Sequence, residues 1–386
     1  MRNKWPWPRL LNRRQWLKAM LLACGNAYFF LSGARYLTGK GLAMSGKPGP
    51  GLREALYYEK LAGGSIRCLI CFRNCLVKPG RRGFCRDREN RDGVYYSLVH
   101  SLPCAIHVDP VEKEPAFHLL PGSEIYCLST AGCNSRCLFC QNWHISQCSV
   151  EETDTILLPP ERVVEEARRR RIPTISFTYA EPIAFYEYVL DTAKLARAAG
   201  IRLLVHTNGT FNQEPLSELL RYTTAVTVDL KGFTEEFYRE ITAMRLEPVL
   251  ENIKLIREAG VWLELVNLVI PTLNDRVRDA EGMCAWIRDT IGVEVPIHFT
   301  RFHPTYQLRN LPPTPVETLE RMYETARAAG LRYVYVGNLP GHRANSTFCP
   351  SCGERLVHRI HFQVIENRIR DGRCPDCGHA IPGIWA

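Results

Sequence analysis

Three cysteines in one short run carry the clearest chemical information in this chain. Cys133, Cys137 and Cys140 are spaced C-x3-C-x2-C, and no fourth cysteine follows at a comparable step. A structural metal site usually closes its shell with four protein ligands, whereas a reactive site leaves one position open. Three soft thiolates in one loop therefore suit an iron–sulfur cluster with one iron free for a small molecule. Buried thiols, or half of a zinc site, are the alternative interpretations.

Two other sets of cysteines flank this run. Near the carboxyl terminus, two C-x2-C pairs are separated by 21 residues, 353–373, and residues 357–369 partly alternate apolar and polar side chains as a hairpin does. This pattern predicts a ribbon that binds structural zinc or a rubredoxin-like iron. The four ligands are Cys349, Cys352, Cys374 and Cys377.

A cysteine-rich module at residues 67–88 precedes the central run. Its four thiolates could hold zinc, or an auxiliary iron–sulfur cluster that passes electrons or binds substrate. The four ligands are Cys68, Cys71, Cys75 and Cys85. The singletons are interpreted as buried or incidental thiols; they are Cys104, Cys127, Cys148 and Cys284.

From residue 125 onward, short apolar runs of strand length alternate with helical segments such as 161–170 and 186–199. This alternation predicts an α/β fold with parallel strands joined by right-handed crossovers. Six or seven units suit a partial or complete β/α barrel, and a doubly wound sheet is the alternative. A short helix is also predicted near 52–61. The predicted strands are 125–129, 174–178, 203–206, 226–230, 263–270 and 297–301.

The spacing of the central cysteines, with Phe139 before the last one, resembles the signature of radical S-adenosylmethionine (SAM) enzymes. From about residue 57 to 385 the chain resembles the radical SAM member of the AmmeMemoRadiSam system, within the pyruvate-formate-lyase-activating-enzyme group. The matching elements are GFCR (83–86), the cysteine loop, FTRFHP (299–304) with YVGN (335–338), and IPGIW (381–385).

This resemblance implies a partial (β/α) barrel of the radical SAM type, flanked by a small N-terminal cysteine module and a C-terminal zinc-ribbon-like module. It also implies a [4Fe–4S] cluster, SAM as cofactor, a low-potential electron donor, and Memo-like and AMMECR-like partner proteins. In such barrels the chemistry lies at the carboxyl ends of the strands. The polar residues that follow the predicted strands are therefore the expected SAM ligands: Glu181, Thr207, Asn208, Asp229, Lys231 and His303.

Among these residues, Glu181 is expected to bind the SAM amino group and Lys231 to neutralise the SAM carboxylate. Thr207 and Asn208 are expected to hydrogen-bond ribose or carboxylate oxygens, and Asp229 either to anchor Lys231 or to contribute to a small cation site. The sequence departs from the family pattern at two places. Tyr179-Ala180 replace the two glycines before the glutamate, and His206 replaces an aspartate of the activases.

The predicted function is a radical SAM enzyme that abstracts hydrogen from an unidentified substrate, for which a protein partner is one candidate. A glycyl-radical-enzyme activase is the nearest alternative, although the cysteine modules at both ends argue against a plain activase. A metal-stabilised scaffold or nucleic-acid-binding protein without SAM chemistry is a further alternative.

Composition limits the choice of partner. Of the net charge of +9, eight positive charges fall within residues 1–40, which contain no acidic side chain, so the remaining chain is nearly neutral and no nucleic-acid partner is expected. Eleven of the sixteen cysteines fall into three clusters with metal-ligand spacing, which argues against a disulfide scaffold.

The amino terminus resembles a twin-arginine signal, NRRQWLK (12–18), followed by a largely apolar stretch at 19–31. The sequence fits twin-arginine export and cytoplasmic or inner-membrane-tethered retention about equally, with the apolar stretch as the tether. The predicted organisation is a signal or anchor with its linker at 1–46, the N-terminal cysteine module at 47–120, the radical SAM core at 121–340 and the ribbon at 341–386.

Overall fold

An eight-stranded sheet forms the centre of residues 51–386, which are the residues that the computed structural model describes. Strands β8 to β14 run parallel in consecutive order, and β7 pairs antiparallel with β8 at one edge. The sheet forms the predicted partial barrel. Its strands are β7 (Ala105–Pro110), β8 (Glu124–Ser129), β9 (Thr174–Phe177), β10 (Arg202–Thr207), β11 (Ala225–Asp229), β12 (Trp262–Val269), β13 (Ile297–Arg301) and β14 (Val334–Gly337).

Six helices of eight or more residues connect the parallel strands. Three of them end in the sequence Arg-x-Ala-Gly, where Gly200, Gly260 and Gly330 have φ of +72°, +72° and +95°. A residue without Cβ takes this left-handed conformation with little strain and closes the last turn. The helices are α1 (Pro160–Arg170), α2 (Tyr186–Ala198), α3 (Gln213–Leu220), α4 (Leu246–Glu258), α5 (Val277–Thr290) and α6 (Val316–Ala328).

The apolar runs form strands because helices cover one face of the sheet and the interior of the barrel fills the other. All four residues of β9 are buried, as are five of the six in β8. Near-continuous hydrophobic strands of this kind are typical of parallel sheets that are covered on both faces. The six predicted strands and the two predicted helices are confirmed to within one or two residues.

The predicted helix at 52–61 is wrong. This segment contains two strands, β1 (Gly51–Glu54) and β2 (Tyr58–Lys60), which pair with later parts of the amino-terminal cysteine module. Tertiary pairing therefore overrides a weak helical pattern here. The other strands of the module are β3 (Ile66–Cys68), β4 (Leu76–Val77), β5 (Arg88–Arg91) and β6 (Val94–His100).

A third small sheet closes the chain at its carboxyl end. The predicted hairpin is confirmed, since β16 and β17 pair antiparallel within the ribbon. Its strands are β15 (Thr347–Phe348), β16 (Arg355–Ile360) and β17 (Gln363–Asn367).

Residues 51–386 pack as one unit. The predicted signal or anchor segment at 1–46 lies outside the described residues. Within the described range, no helix has the length and apolar character that a bilayer-spanning segment needs.

Buried ion pairs join the two flanking modules to the central sheet. Arg88 of β5 makes two hydrogen bonds of 2.8 and 2.6 Å to Glu187 of α2, and both side chains are only 1% exposed. Arg359 of β16 lies 3.3 Å from Glu112, which follows β7, and both of these side chains are fully buried. Each module is therefore held in one position against the sheet, because displacement would leave charges buried without partners.

Candidate active site

The three central cysteines lie on the loop that follows β8. Gly132 begins the loop with φ of +85°, and a Cβ at this position would lie 1.9 Å from the carboxyl of Asp87. Backbone hydrogen bonds of 3.0 Å from Arg136 to Thr242 and from Leu138 to Ile241 fix the middle of the loop. The loop is thus held from both sides by other elements and presents its thiols in a defined arrangement.

Hydroxyl groups lie beside each thiol. The Oγ of Ser135 is 3.1 Å from the Sγ of Cys133 and 3.5 Å from that of Cys137, and the Oγ of Ser146 is 3.2 Å from the Sγ of Cys140. Hydroxyl donors at this distance stabilise a thiolate. Burial raises the pKa of the Cys137 thiol to about 11. A bound cation would reverse this effect, because metal binding favours the deprotonated sulfur.

The thiols open onto a cavity of about 350 Å³ at the carboxyl ends of the strands. The structure brings five of the six predicted SAM ligands to this cavity. The exception is His303, which is exposed and does not line it. The functional residues around the cavity are Cys133, Cys137, Cys140, Glu181, Thr207, Asn208, Asp229 and Lys231.

Glu181 is buried, and its carboxylate is held by hydrogen-bond donors. Its Oε1 accepts a bond of 2.7 Å from the Thr207 hydroxyl, and its Oε2 accepts one of 2.8 Å from the backbone N–H of Asn208. Burial raises the pKa of the Glu181 carboxyl to about 7, although these donors favour the ionised form. A carboxylate of this kind is oriented to accept hydrogen bonds from a cationic or amino group in the cavity.

Thr207 and Asn208 therefore position other residues of the site. Besides orienting Glu181, Asn208 donates from Nδ2 to the side chain of Asn134, directly after Cys133, at 2.8 Å. These contacts connect the end of β10 with the cysteine loop. Their predicted hydrogen bonds to SAM stay predictions.

Lys231 ends a chain of four alternating charges. Its Nζ lies 2.7 Å from Asp229, which lies 3.3 Å from Nε2 of His206, and Nδ1 of that ring lies 3.0 Å from Glu114. Burial alone would lower the pKa of His206, but the two carboxylates raise it to about 10. Burial likewise opposes ionisation of Asp229, but Lys231 and His206 hold its pKa well below the usual range.

These ion pairs hold the Lys231 ammonium in a fixed position in the cavity. The contact between Lys231 and Asp229 agrees with the predicted anchoring of Lys231 by Asp229. The sequence reasoning missed Glu114, because this residue follows β7 in a segment that contains no recognisable motif. The replacement of an aspartate by His206 was the one available signal that this charge network differs from that of the activases.

Comparison with known proteins adds the family to this geometry. The family described as the Radical SAM superfamily matches residues 127–284, which include the three cysteines and four of the charged residues around them. Uncharacterized protein MJ0808 of Methanocaldococcus jannaschii is 44% identical over 332 residues, which cover 86% of this chain and 99% of that protein. The chain belongs to the radical SAM superfamily.

The chain is also similar to two more distant proteins. The pyruvate formate-lyase-activating enzyme of Clostridium pasteurianum is 24% identical over 196 residues, covering 47% of this chain and 80% of that enzyme. Among solved structures, Streptococcus suis SuiB bound to S-adenosylmethionine matches with 12% identity and a TM-score of 0.45, covering 59% of this chain and 53% of that one.

Membership of the radical SAM superfamily implies a [4Fe–4S] cluster and SAM as cofactors. The donor set fits this cluster, because three cysteine sulfurs with hydroxyl donors line one cavity. Within residues 51–386, the sulfurs of these three cysteines do not all lie within 4.8 Å of one another. They are therefore not spaced as the ligands of a single metal ion are. Cys133, Cys137 and Cys140 would hold the cluster, which when reduced supplies the electron that cleaves SAM to a 5′-deoxyadenosyl radical.

The C-terminal cysteines form a different kind of site, which we name the terminal cysteine site (Cys349, Cys352, Cys374 and Cys377). All four sulfurs lie within 4.8 Å of one another. The distances are 3.6 Å from Cys349 to Cys377 and 3.7 Å from Cys352 to Cys374. Zn–S bonds of about 2.3 Å in a tetrahedron give S–S edges of about 3.8 Å. The geometry therefore fits one tetrahedral metal ion, as the sequence predicts.

Proposed function

We propose that this protein is a radical SAM enzyme that binds SAM in the cavity above β8 to β11 and abstracts hydrogen from a second molecule at its mouth. The observation that carries the proposal is the placement of three thiols, one fixed carboxylate and one fixed ammonium around a single cavity. SAM carries an amino group, a carboxylate and a sulfonium, and these charges match that set.

Each charged side chain then has a defined task. Glu181 accepts hydrogen bonds from the SAM amino group, since Thr207 and Asn208 already orient its carboxylate. Lys231 faces the SAM carboxylate and is held by Asp229. Because these contacts are fixed before SAM binds, less entropy is lost in ordering the site, and SAM is oriented relative to the three thiols.

The size of the cavity supports a substrate that reaches in from outside. Small-molecule pockets range from roughly 300 to 1,000 Å³, and the cavity of about 350 Å³ is at the lower end. A bound nucleoside such as SAM takes up most of this space. A side chain or a terminus of a partner protein would then fit better than a second large free ligand, and we propose a protein substrate.

A glycyl-radical-enzyme activase is the second candidate. The similarity to the Clostridium pasteurianum pyruvate formate-lyase-activating enzyme, which extends over 80% of that enzyme, favours it. The two flanking cysteine modules favour a different substrate. We further propose that the chain belongs to the AmmeMemoRadiSam system, with Memo-like and AMMECR-like proteins as partners, on the four motifs quoted above.

The test is reductive cleavage of SAM by the full-length protein after anaerobic reconstitution with iron and sulfide. The proposal predicts release of 5′-deoxyadenosine, which is abolished in Cys137→Ala. Cys148→Ala is the matched control, because this half-buried thiol does not line the cavity and its loss should leave the product unchanged. A scaffold protein would release no 5′-deoxyadenosine in any variant. A glycyl radical detected by electron paramagnetic resonance (EPR) on a co-purified enzyme would establish the activase instead.

A further inference from the structure

The four cysteines of the amino-terminal module surround one enclosed space. Cys68 ends β3, Cys71 and Cys75 occupy the following turn, and Cys85 precedes β5. All four line a cavity of about 20 Å³. The first and last of these cysteines are 17 positions apart in the sequence, so they are brought together by the fold and not by a single turn of the backbone.

A buried hydroxyl without a partner points into the same space. Tyr95 lines it, is 1% exposed, and its hydroxyl has no hydrogen-bond partner among the described residues. A buried hydroxyl without a partner destabilises the fold, so a group that accepts its hydrogen bond is expected nearby. A thiolate or sulfide acceptor at the centre of the cysteines would satisfy this donor.

A buried cation also borders the space. Arg88 lines it and is fully buried, and Glu187 compensates its charge. Arg73 lines the opposite part. Four thiolates, two buried and two half-buried, carry a net negative charge even after they bind a metal. Because Glu187 already compensates Arg88, the Arg73 guanidinium is the positive charge at the boundary that offsets part of it.

The spacing of the sulfurs separates this site from the terminal cysteine site. Among residues 51–386, the terminal set is the one group of metal-binding side chains whose donor atoms all lie within 4.8 Å. The amino-terminal sulfurs enclose a cavity instead. A polynuclear cluster holds each thiolate on a different metal atom and so spaces them more widely than one tetrahedral ion does.

The enclosed space adjoins the radical SAM site. Arg73 donates from Nε to the backbone carbonyl of Asn134 at 2.6 Å, and Asn134, which lines the space, directly follows Cys133. Asp87, two residues after Cys85, packs against Gly132, directly before the same cysteine. Single residues therefore bridge the two sets of thiols.

We propose that Cys68, Cys71, Cys75 and Cys85 hold a second iron–sulfur cluster, ligated by protein at every iron, that relays electrons to the radical SAM site. The relay rests on the proposed function, whereas the cluster itself does not. In the relay, a low-potential one-electron donor of the ferredoxin or flavodoxin class is oxidised by one electron. The second cluster is reduced and then reoxidised, and the first cluster is reduced by that same electron. No bond or proton changes place.

The first test counts metals in full-length protein in which Cys133, Cys137 and Cys140 are all replaced by alanine. The proposal predicts about four irons and one zinc per chain, since a [4Fe–4S] cluster and the terminal cysteine site remain. Dithionite reduction should give an EPR signal that SAM does not alter, because no iron has an open position. Two zinc ions and no iron, or one zinc and no iron, would overturn the proposal.

Two further variants guard against misfolding. Cys68→Ser with Cys71→Ser should lose about four irons and keep the SAM-sensitive EPR signal of the first cluster, and an unchanged iron content would contradict the assignment. Tyr95→Phe removes only one hydroxyl. It should keep the iron and lower the midpoint potential of the SAM-insensitive signal, because a hydrogen-bond donor to the cluster is lost. An unchanged potential would refute the role given to Tyr95.

The relay is tested with two reductants. Dithionite is small and reduces either cluster directly, so SAM cleavage by the Cys68→Ser, Cys71→Ser variant should stay near the wild-type rate. With reduced flavodoxin as donor, cleavage should fall at least tenfold. If this variant cleaved SAM at the same rate with both donors, or lost the same fraction of its rate with both, an electron relay would be excluded. The presence of the second cluster would then still be decided by the metal count. Absence of SAM cleavage in the wild type would instead refute the proposed function.

Discussion

The charge state of Glu181 should govern the affinity of the protein for SAM. The perturbation is Glu181→Gln, which keeps the size of the side chain and removes its charge. The carboxylate is 3% exposed and already accepts hydrogen bonds from Thr207 and Asn208. The backbone N–H of Ile183 also donates to its Oε1, at 3.3 Å. The carboxyl lines the cavity, so the substitution weakens the proposed interaction with the SAM amino group. Because the new NH2 also replaces an oxygen that accepts one of these bonds, the melting temperature of the SAM-free variant is measured as a control.

The magnitude follows from the strength of such bonds. A hydrogen bond to a charged group contributes about 1.5–3 kcal/mol, which corresponds to a loss of roughly 10- to 150-fold in affinity. Because the pKa of Glu181 is raised to about 7, the wild-type carboxyl is ionised at pH 8 and mostly protonated at pH 6. The advantage of the wild type over Glu181→Gln should therefore shrink about tenfold between pH 8 and pH 6.

The assay is SAM binding by anaerobic calorimetry on reconstituted wild type and variant, at half-unit steps from pH 6 to 8. The ratio of the two dissociation constants isolates Glu181, since titration of the SAM amino group is common to both proteins. A ratio that stays constant across this range would refute the protonation argument. Equal affinities at pH 8 would refute the assignment of Glu181 to SAM.

Three other outcomes follow from the packing. Gly132→Ala should destabilise the fold by more than about 3 kcal/mol in thermal unfolding, because strain at φ of +85° adds to a contact of 1.9 Å with Asp87. The control Gly200→Ala, with φ of +72° and nothing within 4 Å, should cost only about 1–2 kcal/mol. Arg88→Met should lower the free energy of unfolding by about 3–5 kcal/mol in denaturant, because it leaves the Glu187 carboxylate buried without its cationic partner. Adding Glu187→Leu should recover most of this loss, and no recovery would contradict the role given to the ion pair. A strong chelator should remove about one zinc from the terminal cysteine site and lower the melting temperature, whereas an unchanged melting temperature would mean that this metal does not stabilise the ribbon.

The positions of the thiols and of the two charged residues predicted to bind SAM could be predicted from the sequence because each residue follows a strand closely. Parallel strands meet at one edge of the sheet, so Glu181 after β9 and Lys231 after β11 had to approach the loop after β8. The positions of the strands could be predicted from the short apolar runs, because a strand buried on both faces is apolar throughout.

The parts that could not be predicted depend on contacts between distant segments. Glu114 reaches His206 across 92 positions in the sequence, and nothing near Glu114 signals this. His303 was expected near SAM from a motif match, but the end of β13 leaves its side chain exposed. The helix predicted at 52–61 is wrong because the pattern within this segment does not reveal its strand partners; Arg53, for example, pairs with Ser97, 44 positions further along the chain.

The two flanking modules have a purpose beyond stability. A buried Arg–Glu pair contributes little net stability compared with apolar packing, but it penalises every other arrangement. Each module is held by one such pair, and each also contributes a residue to a candidate site. Arg88 borders the amino-terminal cysteines, and Phe362 of the ribbon lines the cavity proposed to bind SAM. Glu112, the partner of Arg359, lines that cavity as well. The modules therefore fix the environment of the site from two sides, which a stabilising role alone would not require.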